Sequence, residues 1–153
     1  MKAEDQDAAS LKFVDFWKTA QHLNICEVES VLRGPFARMN AEGKLHPHLD
    51  KAYRHALKFS RVRDVQALQQ LRVALEDWEP PSSIGSLITD ESLRLAPFEV
   101  AQLVNLMPAD SEEAKALLPS LDRFQASDVL SVLEILGNYS KLQIANDIVT
   151  AEF

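Results

Sequence analysis

Seven prolines partition this chain, and the stretches between them carry apolar side chains at helical spacing in runs too short for long helices. The clearest run follows Pro47, a residue favoured at the first helical position: Leu49, Ala52, Tyr53, Ala56 and Leu57 recur at the intervals that place them on one face. Asn24 and Glu27 have the spacing of a capping box, with Val28, Val31 and Leu32 as the face behind it, and Gly34-Pro35 is expected to end or kink that helix. Asp64 is placed to cap a helix that turns Val65, Leu68, Leu71 and Leu75 inward. No segment alternates apolar and polar residues long enough to build a sheet, and four glycines leave little hairpin chemistry. The expected class is therefore all-α.

The organisation expected from these signals has five parts: a disordered tail at 1–10, N-terminal helices and a partner-binding segment at 11–77, a linker or insertion at 78–88, a compact module of short helices at 89–138, and a C-terminal tail at 139–153. The linker signal is the run Trp78 to Ser86, with adjacent prolines, three serines and a glycine. Beyond it Pro97 opens a helix that turns Val100, Leu103, Val104 and Met107 inward until Pro108. Asp110 with Glu113 repeats the capping-box spacing ahead of Ala114, Leu117 and Leu118, and Pro119 stops that helix. Ser127 is the expected cap of a further helix with Val129, Val132, Leu133 and Leu136 inward and Gly137-Asn138 as its C-terminal cap. Leu142, Ala145, Ile148 and Val149 are compatible with a last amphipathic turn or two.

Bond-making chemistry finds no foothold. His46 and His48 lie two apart, a spacing that points side chains to different helix faces, and Ala52 stands where a third ligand beside His48 and His55 would sit, so no metal is expected. Cys26 is the single cysteine, which excludes an internal disulfide framework; it lies in a first helical turn without a recognisable base and reads as packing. No glycine loop for nucleotides and no nucleophile elbow occur, so neither a catalytic site nor a cofactor is expected. No apolar run approaches the roughly 20 residues needed to cross a bilayer, and the start MKAEDQDAAS lacks the basic and apolar parts of a secretory signal. The expectation is a soluble intracellular protein.

Large apolar residues outside the helical stripes are more telling. Leu11, Phe13, Val14, Phe16 and Trp17 crowd five such residues into seven positions and read as a short extended or irregular anchor, covered by this chain or by a partner. Trp78 and Phe153 belong to the same class, as interface anchors or as groups that fold back. The net charge of −7 argues against a protein devoted to gripping phosphates. One segment departs from that background: Arg54, Lys58, Arg61 and Arg63 precede the next acid, Asp64, and read either as a solvated helix end or as a contact surface.

The run Pro97-Phe98-Glu99-Val100-Ala101-Gln102-Leu103-Val104-Asn105-Leu106-Met107-Pro108, followed by Ser111 to Leu121 with its E-E-A-K-A-L-L-P-S-L, resembles the hallmark of the RNA polymerase subunit 4 family, which has an archaeal counterpart. Lys58-Phe59-Ser60-Arg61 is similar to that family's R-F-S-R, and Leu11 to Phe16 with Thr19-Ala20 and Glu27-Val28 is similar to its N-terminal segment, so the likeness runs from about Leu11 to Leu136. The stretch from Trp78 to Leu93 stands as an insertion, and the tail after Gly137 has no counterpart. The resemblance implies a C-terminal module like the HRDC domain of RecQ-type helicases. It also implies a non-catalytic nuclear subunit of RNA polymerase II that forms the stalk heterodimer with a subunit 7 homologue on the polymerase core and acts in initiation and nascent RNA handling. Leu11, Phe13, Phe16, Phe98, Leu103 and Leu106 are the expected partner contacts, the last three alternatively core; Lys58, Arg61 and Arg63 are candidates for contact with RNA or the polymerase body. The corresponding subunits of polymerases I and III, and a free-standing HRDC-like nucleic-acid-binding module, are the alternatives; the E-E-A-K-A-L-L-P-S-L run favours polymerase II.

Overall fold

The structure, a computed structural model, describes the backbone of residues 6–83 and 93–151 and the side chains of those up to residue 139. Among the described residues the architecture is all-α: α1 (Asp15–Thr19), α2 (Ile25–Ala41), α3 (Pro47–Phe59), α4 (Val65–Glu76), α5 (Pro97–Leu106), α6 (Ser111–Leu117) and α7 (Ala126–Ala151), with 3-10 turns at Pro81–Ser83 and Pro119–Arg123. An isolated antiparallel bridge between Asp7 and Lys12 closes a turn in the segment expected to be a disordered tail, with Leu11 at φ 58° inside it.

One continuous core joins the two halves of the chain. Leu68, Leu71 and Leu75 of α4 pack with Val100, Leu103 and Val104 of α5 and with Val129, Val132 and Leu136 of α7. Each such fully covered aliphatic side chain contributes about 1.5 to 3 kcal/mol. The helix α3, by contrast, packs on α2, with which it forms a hairpin; of its expected inward face only Ala56 is buried, Leu49 and Tyr53 are half-buried, and Ala52 and Leu57 are exposed.

The helix starts follow the expected chemistry. Asn24 Oδ1 accepts the Glu27 N–H at 3.0 Å while Glu27 Oε2 accepts the Asn24 N–H at 2.8 Å, a complete capping box. Asp64 Oδ1 accepts from the Gln66 and Ala67 amides, and Asp110 Oδ1 from that of Glu113. Glu113 reaches back one residue further than expected, to the Ala109 N–H.

Several expectations about helix ends and faces are corrected. The helix α2 continues through Gly34-Pro35 to Ala41. Pro35 removes one backbone donor, but Gly34 has no Cβ to meet the proline ring, which relieves the clash that normally drives the preceding residue out of the α region. The turns beyond are held by Phe36 stacked on Tyr53 of α3 at 4.3 Å between ring centroids. Val31, Val65 and Leu117, expected to face inward, are exposed. The helix α7 starts at Ala126, before Ser127, and its first turn is tied by Asp128, whose carboxylate accepts the Gln125 N–H. It also runs past Gly137-Asn138 to Ala151, so the expected last amphipathic turns are a backbone continuation of α7. Residues 15–19 are helical where a short extended or irregular anchor was expected.

The start of the expected linker is docked. Trp78 is buried, its Nε1–H donates to Ser131 Oγ at 2.9 Å, and its ring meets Phe124 edge to face. Buried Asp128 accepts from both the N–H and the hydroxyl of Ser82, at 3.0 and 2.7 Å. Residues 84–92, the remainder of the expected insertion, and Phe153 lie outside the described residues.

Candidate partner interface

Phe16 and Trp17 of α1 are 69% and 45% exposed, and they touch each other edge to face at 5.4 Å. Both keep a large part of their surface open among the described residues, although aromatic rings of this size are normally the first groups a chain buries. Leu23 adds a third exposed apolar group in the segment that follows.

A polar junction holds this display in place. The capping-box residue Glu27 also pairs with Arg72 of α4, and Arg72 Nη2 donates to the His22 carbonyl at 2.8 Å. The hydrogen bond with Glu27 holds the Arg72 guanidinium above its ordinary pKa, and Glu76 adds to it from the next turn. From the other side, Asn105 at the end of α5 accepts the Ile25 N–H at 2.8 Å, supplying a partner to one of the first-turn donors of α2 that no residue in its own helix can reach. The short segment between α1 and α2 is thus fastened to α4 at His22, and the first residue of α2, Ile25, to α5; the Trp17 ring lies beside that of His22 at 6.1 Å.

The six residues expected at a partner surface fall into three groups. Phe13 and Phe98 meet each other edge to face at 5.1 Å and both are half-buried, so the N-terminal segment lies against α5; Leu11 is likewise half-buried. Phe16 and Leu106 are exposed. Leu103 is wholly inside the core, 0% exposed, which leaves the alternative reading of that residue, a core position. Trp17 is exposed as a member of the expected anchor, whereas Leu23, Arg72 and Asn105 were not singled out from the sequence. Arg72 and Asn105 could not have been found, because their roles depend on partners 45 and 80 residues away.

The basic candidates Lys58, Arg61 and Arg63 are all exposed, at the end of α3 and in the turn after it. Cys26 holds that turn: its buried Sγ accepts the amides of Arg61 and Val62 at 3.3 and 3.4 Å, the packing role expected of it. Lys58 lies over the Phe59 ring at 5.5 Å. His46 Nδ1 accepts the His48 N–H as the cap of α3. No group of three or more His, Cys, Asp or Glu suited to a metal ion occurs among the described residues, and no helix there is long and apolar enough to cross a membrane.

Inside the C-terminal module, Glu99 is 0% exposed. Its carboxylate accepts from Ser120 Oγ, from two nitrogens of Arg123 at 2.6 and 2.7 Å, and from the Ala96 N–H at 2.7 Å. Arg123 also donates to the Ser120 and Arg94 carbonyls. With every acceptor occupied by a donor, this buried carboxylate is part of the scaffold beneath the exposed surface.

Comparison with known proteins gives a consistent picture. The sequence profile of the family described as RNA polymerase Rpb4 matches residues 17–140. The chain is 30% identical to the DNA-directed RNA polymerase II subunit rpb4 of Dictyostelium discoideum, covering 90% of this chain and 91% of that protein. It is 27% identical to the DNA-directed RNA polymerase II subunit 4 of Arabidopsis thaliana, over 90% of this chain and 93% of that one.

Proposed function

This chain belongs to the RNA polymerase Rpb4 family, and we propose on that premise that it is a non-catalytic nuclear subunit of RNA polymerase II that pairs with a subunit 7 homologue as the stalk heterodimer. In that role it acts in transcription initiation and in handling the nascent RNA. The names of both relatives specify polymerase II, which favours it over the equivalent subunits of polymerases I and III.

The observation that carries the pairing is the fastened display of Phe16 and Trp17. Exposed neighbouring aromatics on a positioned segment are the composition of an interface hot spot, where truncating one anchor typically costs about 2 kcal/mol or more of binding. Phe13, Phe98 and Leu11 stand beside them as the half-covered rim, and Leu106 extends the surface along α5. The proposed division is an N-terminal partner-binding half, 11–77, and a C-terminal helical module, 89–138, of the HRDC-like kind.

Co-expression with a subunit 7 homologue is expected to yield a soluble one-to-one complex on gel filtration. Phe16→Asp with Trp17→Asp removes that complex, while Val31→Asp, equally exposed on α2, leaves it intact. Pairing that survives the double substitution, or a wild-type chain that ignores the homologue, overturns the proposal.

A further inference from the structure

The C-terminal module carries a groove that its own packing leaves open. The helix α5 ends at Met107, whose left-handed φ of 47° turns the chain sharply and brings Pro108 and Ala109 beside α7. Between that corner and α7 runs a groove of about 550 Å³, lined by Ala109, Leu130, Leu133, Glu134, Gly137 and Asn138. A smaller hollow of about 210 Å³ under Met107 shares Ala109, Leu133 and Gly137 with it, so the two are continuous.

Gly137 is the telling residue. It lies inside a helix of 26 residues, where glycine is the least favourable residue after proline, and its φ is not positive. Apart from its own helix, no described atom lies within 4 Å of the place a Cβ would take. Neither a turn nor a neighbour within the chain requires it, whereas a backbone approaching from outside would. Leu130 is 48% exposed and lies one turn before Glu134 and two before Asn138, on the ridge that forms one bank of the groove.

The charge around this groove has one sign. Residues 93–139 hold seven acids and three cations, a local net charge of −4. All three cations are committed within the fold: Arg94 pairs with Glu79, Arg123 with buried Glu99, and Lys115 donates to the Phe124 carbonyl at 2.7 Å. Glu134 is exposed on the rim and forms no ion pair among the described residues. On the other bank, Asp110 and Glu112 begin α6 directly after Ala109.

We infer that this groove docks an amphipathic basic helix of a further protein, which lays its apolar face over Leu130, Leu133 and Gly137 and sets its lysines or arginines against Glu134 and the start of α6. Charge complementarity selects the occupant: a phosphate or an acidic peptide would meet carboxylates on both banks, with the module's cations already engaged. A helix fits because the surface here is built of helix ridges with no strand edge to extend, and such a groove receives anchors spaced three and four residues apart. The glycine gives the crossing helix its closest approach. The inference goes beyond the proposed pairing and does not rest on it: the display on α1 serves the subunit 7 homologue, and the groove serves a second protein.

The test is fluorescence anisotropy with three labelled helical peptides: one with leucine along one face and lysine along the other, one with glutamate in place of lysine, and one with serine in place of leucine. Each is titrated with the full chain alone and with the chain co-purified with the subunit 7 homologue. The leucine–lysine peptide binds both, less tightly as salt rises, and the other two bind at least about tenfold more weakly. Gly137→Leu brings in a better helix former that fills the groove; it keeps its helical circular dichroism and loses about tenfold in affinity. Gly137→Ala raises the melting temperature and loses less. Glu134→Lys weakens binding about tenfold at low salt, and Asp122→Lys, the same charge change outside the groove, less than about twofold. Equal losses in those two variants, or a serine–lysine peptide that binds as tightly as the leucine–lysine one, would reveal general attraction to an acidic surface and overturn the inference. Unchanged affinity in Gly137→Leu overturns it as well. Binding to the chain alone that vanishes in the co-purified complex also does so, by assigning the groove to the homologue. A chain that binds the peptide but fails to pair supports the groove and counts against the heterodimer alone.

Discussion

In the C-terminal module, charged groups are drawn inside and matched: Glu99 and Asp128 are both buried, and each carboxylate is enclosed by donors from distant parts of the chain. In the α2–α3 hairpin one acid, Glu29, is likewise buried and paired with Arg33, but the lysines and arginines stand outside, and the two helices are held chiefly by each other through the Phe36–Tyr53 stack and Ala56. A buried carboxylate must be answered by donors or the fold loses several kcal/mol, so the module is specified by its polar positions as much as by its leucines. An exposed lysine carries no such constraint. The module's buried charges, and Glu29 with them, therefore report on architecture, and exposed Lys51 and Lys58 of the hairpin are free to answer to something outside the chain.

The sharpest way to break this contrast is Glu99→Ala. It takes the buried carboxylate away from the Arg123 guanidinium, which lies against the Ser120 and Arg94 carbonyls, and removing one partner of a buried pair costs about 3 to 5 kcal/mol. Chemical denaturation of the full chain measures it. Lys51→Ala on the hairpin is expected to stay within about 0.5 kcal/mol of wild type. Equal effects at the two sites would mean that the hairpin is as tightly specified as the module.

Pro35→Ala sharpens the comparison from the opposite direction. Proline inside a helix is about 3 kcal/mol less favourable than alanine, because it lacks a donor and presses on the preceding turn. Restoring the amide is expected to stabilise the far half of α2 by about 1 to 3 kcal/mol. The gain should appear as slower hydrogen exchange at residues 36–41 and in α3, with a smaller shift in global melting, because a weakly held hairpin opens by itself. A shift confined to global melting would show that the hairpin and core unfold as one unit.

These differences also explain what the sequence disclosed. Local chemistry was legible: Asn24 with Glu27, Asp64, Pro47 and Pro97 start helices where their side chains or fixed φ require it. The burial of Leu68, Leu71, Val100 and Val129 follows from helical spacing. The resemblance carried by residues 97–121 pointed to the family without showing what its polar letters do. Glu99, Asn105 and Ser120 lie inside that stretch, and their tasks are to enclose Arg123 and to cap α2. None of this is visible along one dimension, because Asn105 answers an amide 80 residues away. Gly34-Pro35 and Gly137 misled for the converse reason: breakers act on an isolated helix, whereas α2 continues because α3 grips its far end. Trp78 takes the second of its two readings, a group folded back onto the core, because a proline- and serine-rich run says little about burial and a segment outside the α-helices can still be covered.

Asp128 gives the smallest effect and the most specific one. Burial alone would push its carboxyl up, but the Ser82 hydroxyl, the Ser82 and Gln125 amides and nearby Lys115 outweigh that and hold it below the ordinary carboxylate value. The folded chain therefore binds this proton less readily than the unfolded chain does. Its contribution is fully present above the unfolded value of 3.8 and is lost as pH falls through the lower folded value. Hydrogen bonds to a buried charged group contribute about 1.5 to 3 kcal/mol. Asp128→Asn retains two acceptor positions on one oxygen and should cost the lower part of that range at neutral pH. Below the folded value, where Asp128 is itself protonated, the variant and wild type converge. Denaturation midpoints across the acid range check this, with Trp78 as reporter, since its indole is bonded to Ser131 one turn further along α7. A difference between the two proteins that stays constant into strong acid would mean that the Ser82 contact is held by shape, and that the module's buried carboxylates do not share one physical role.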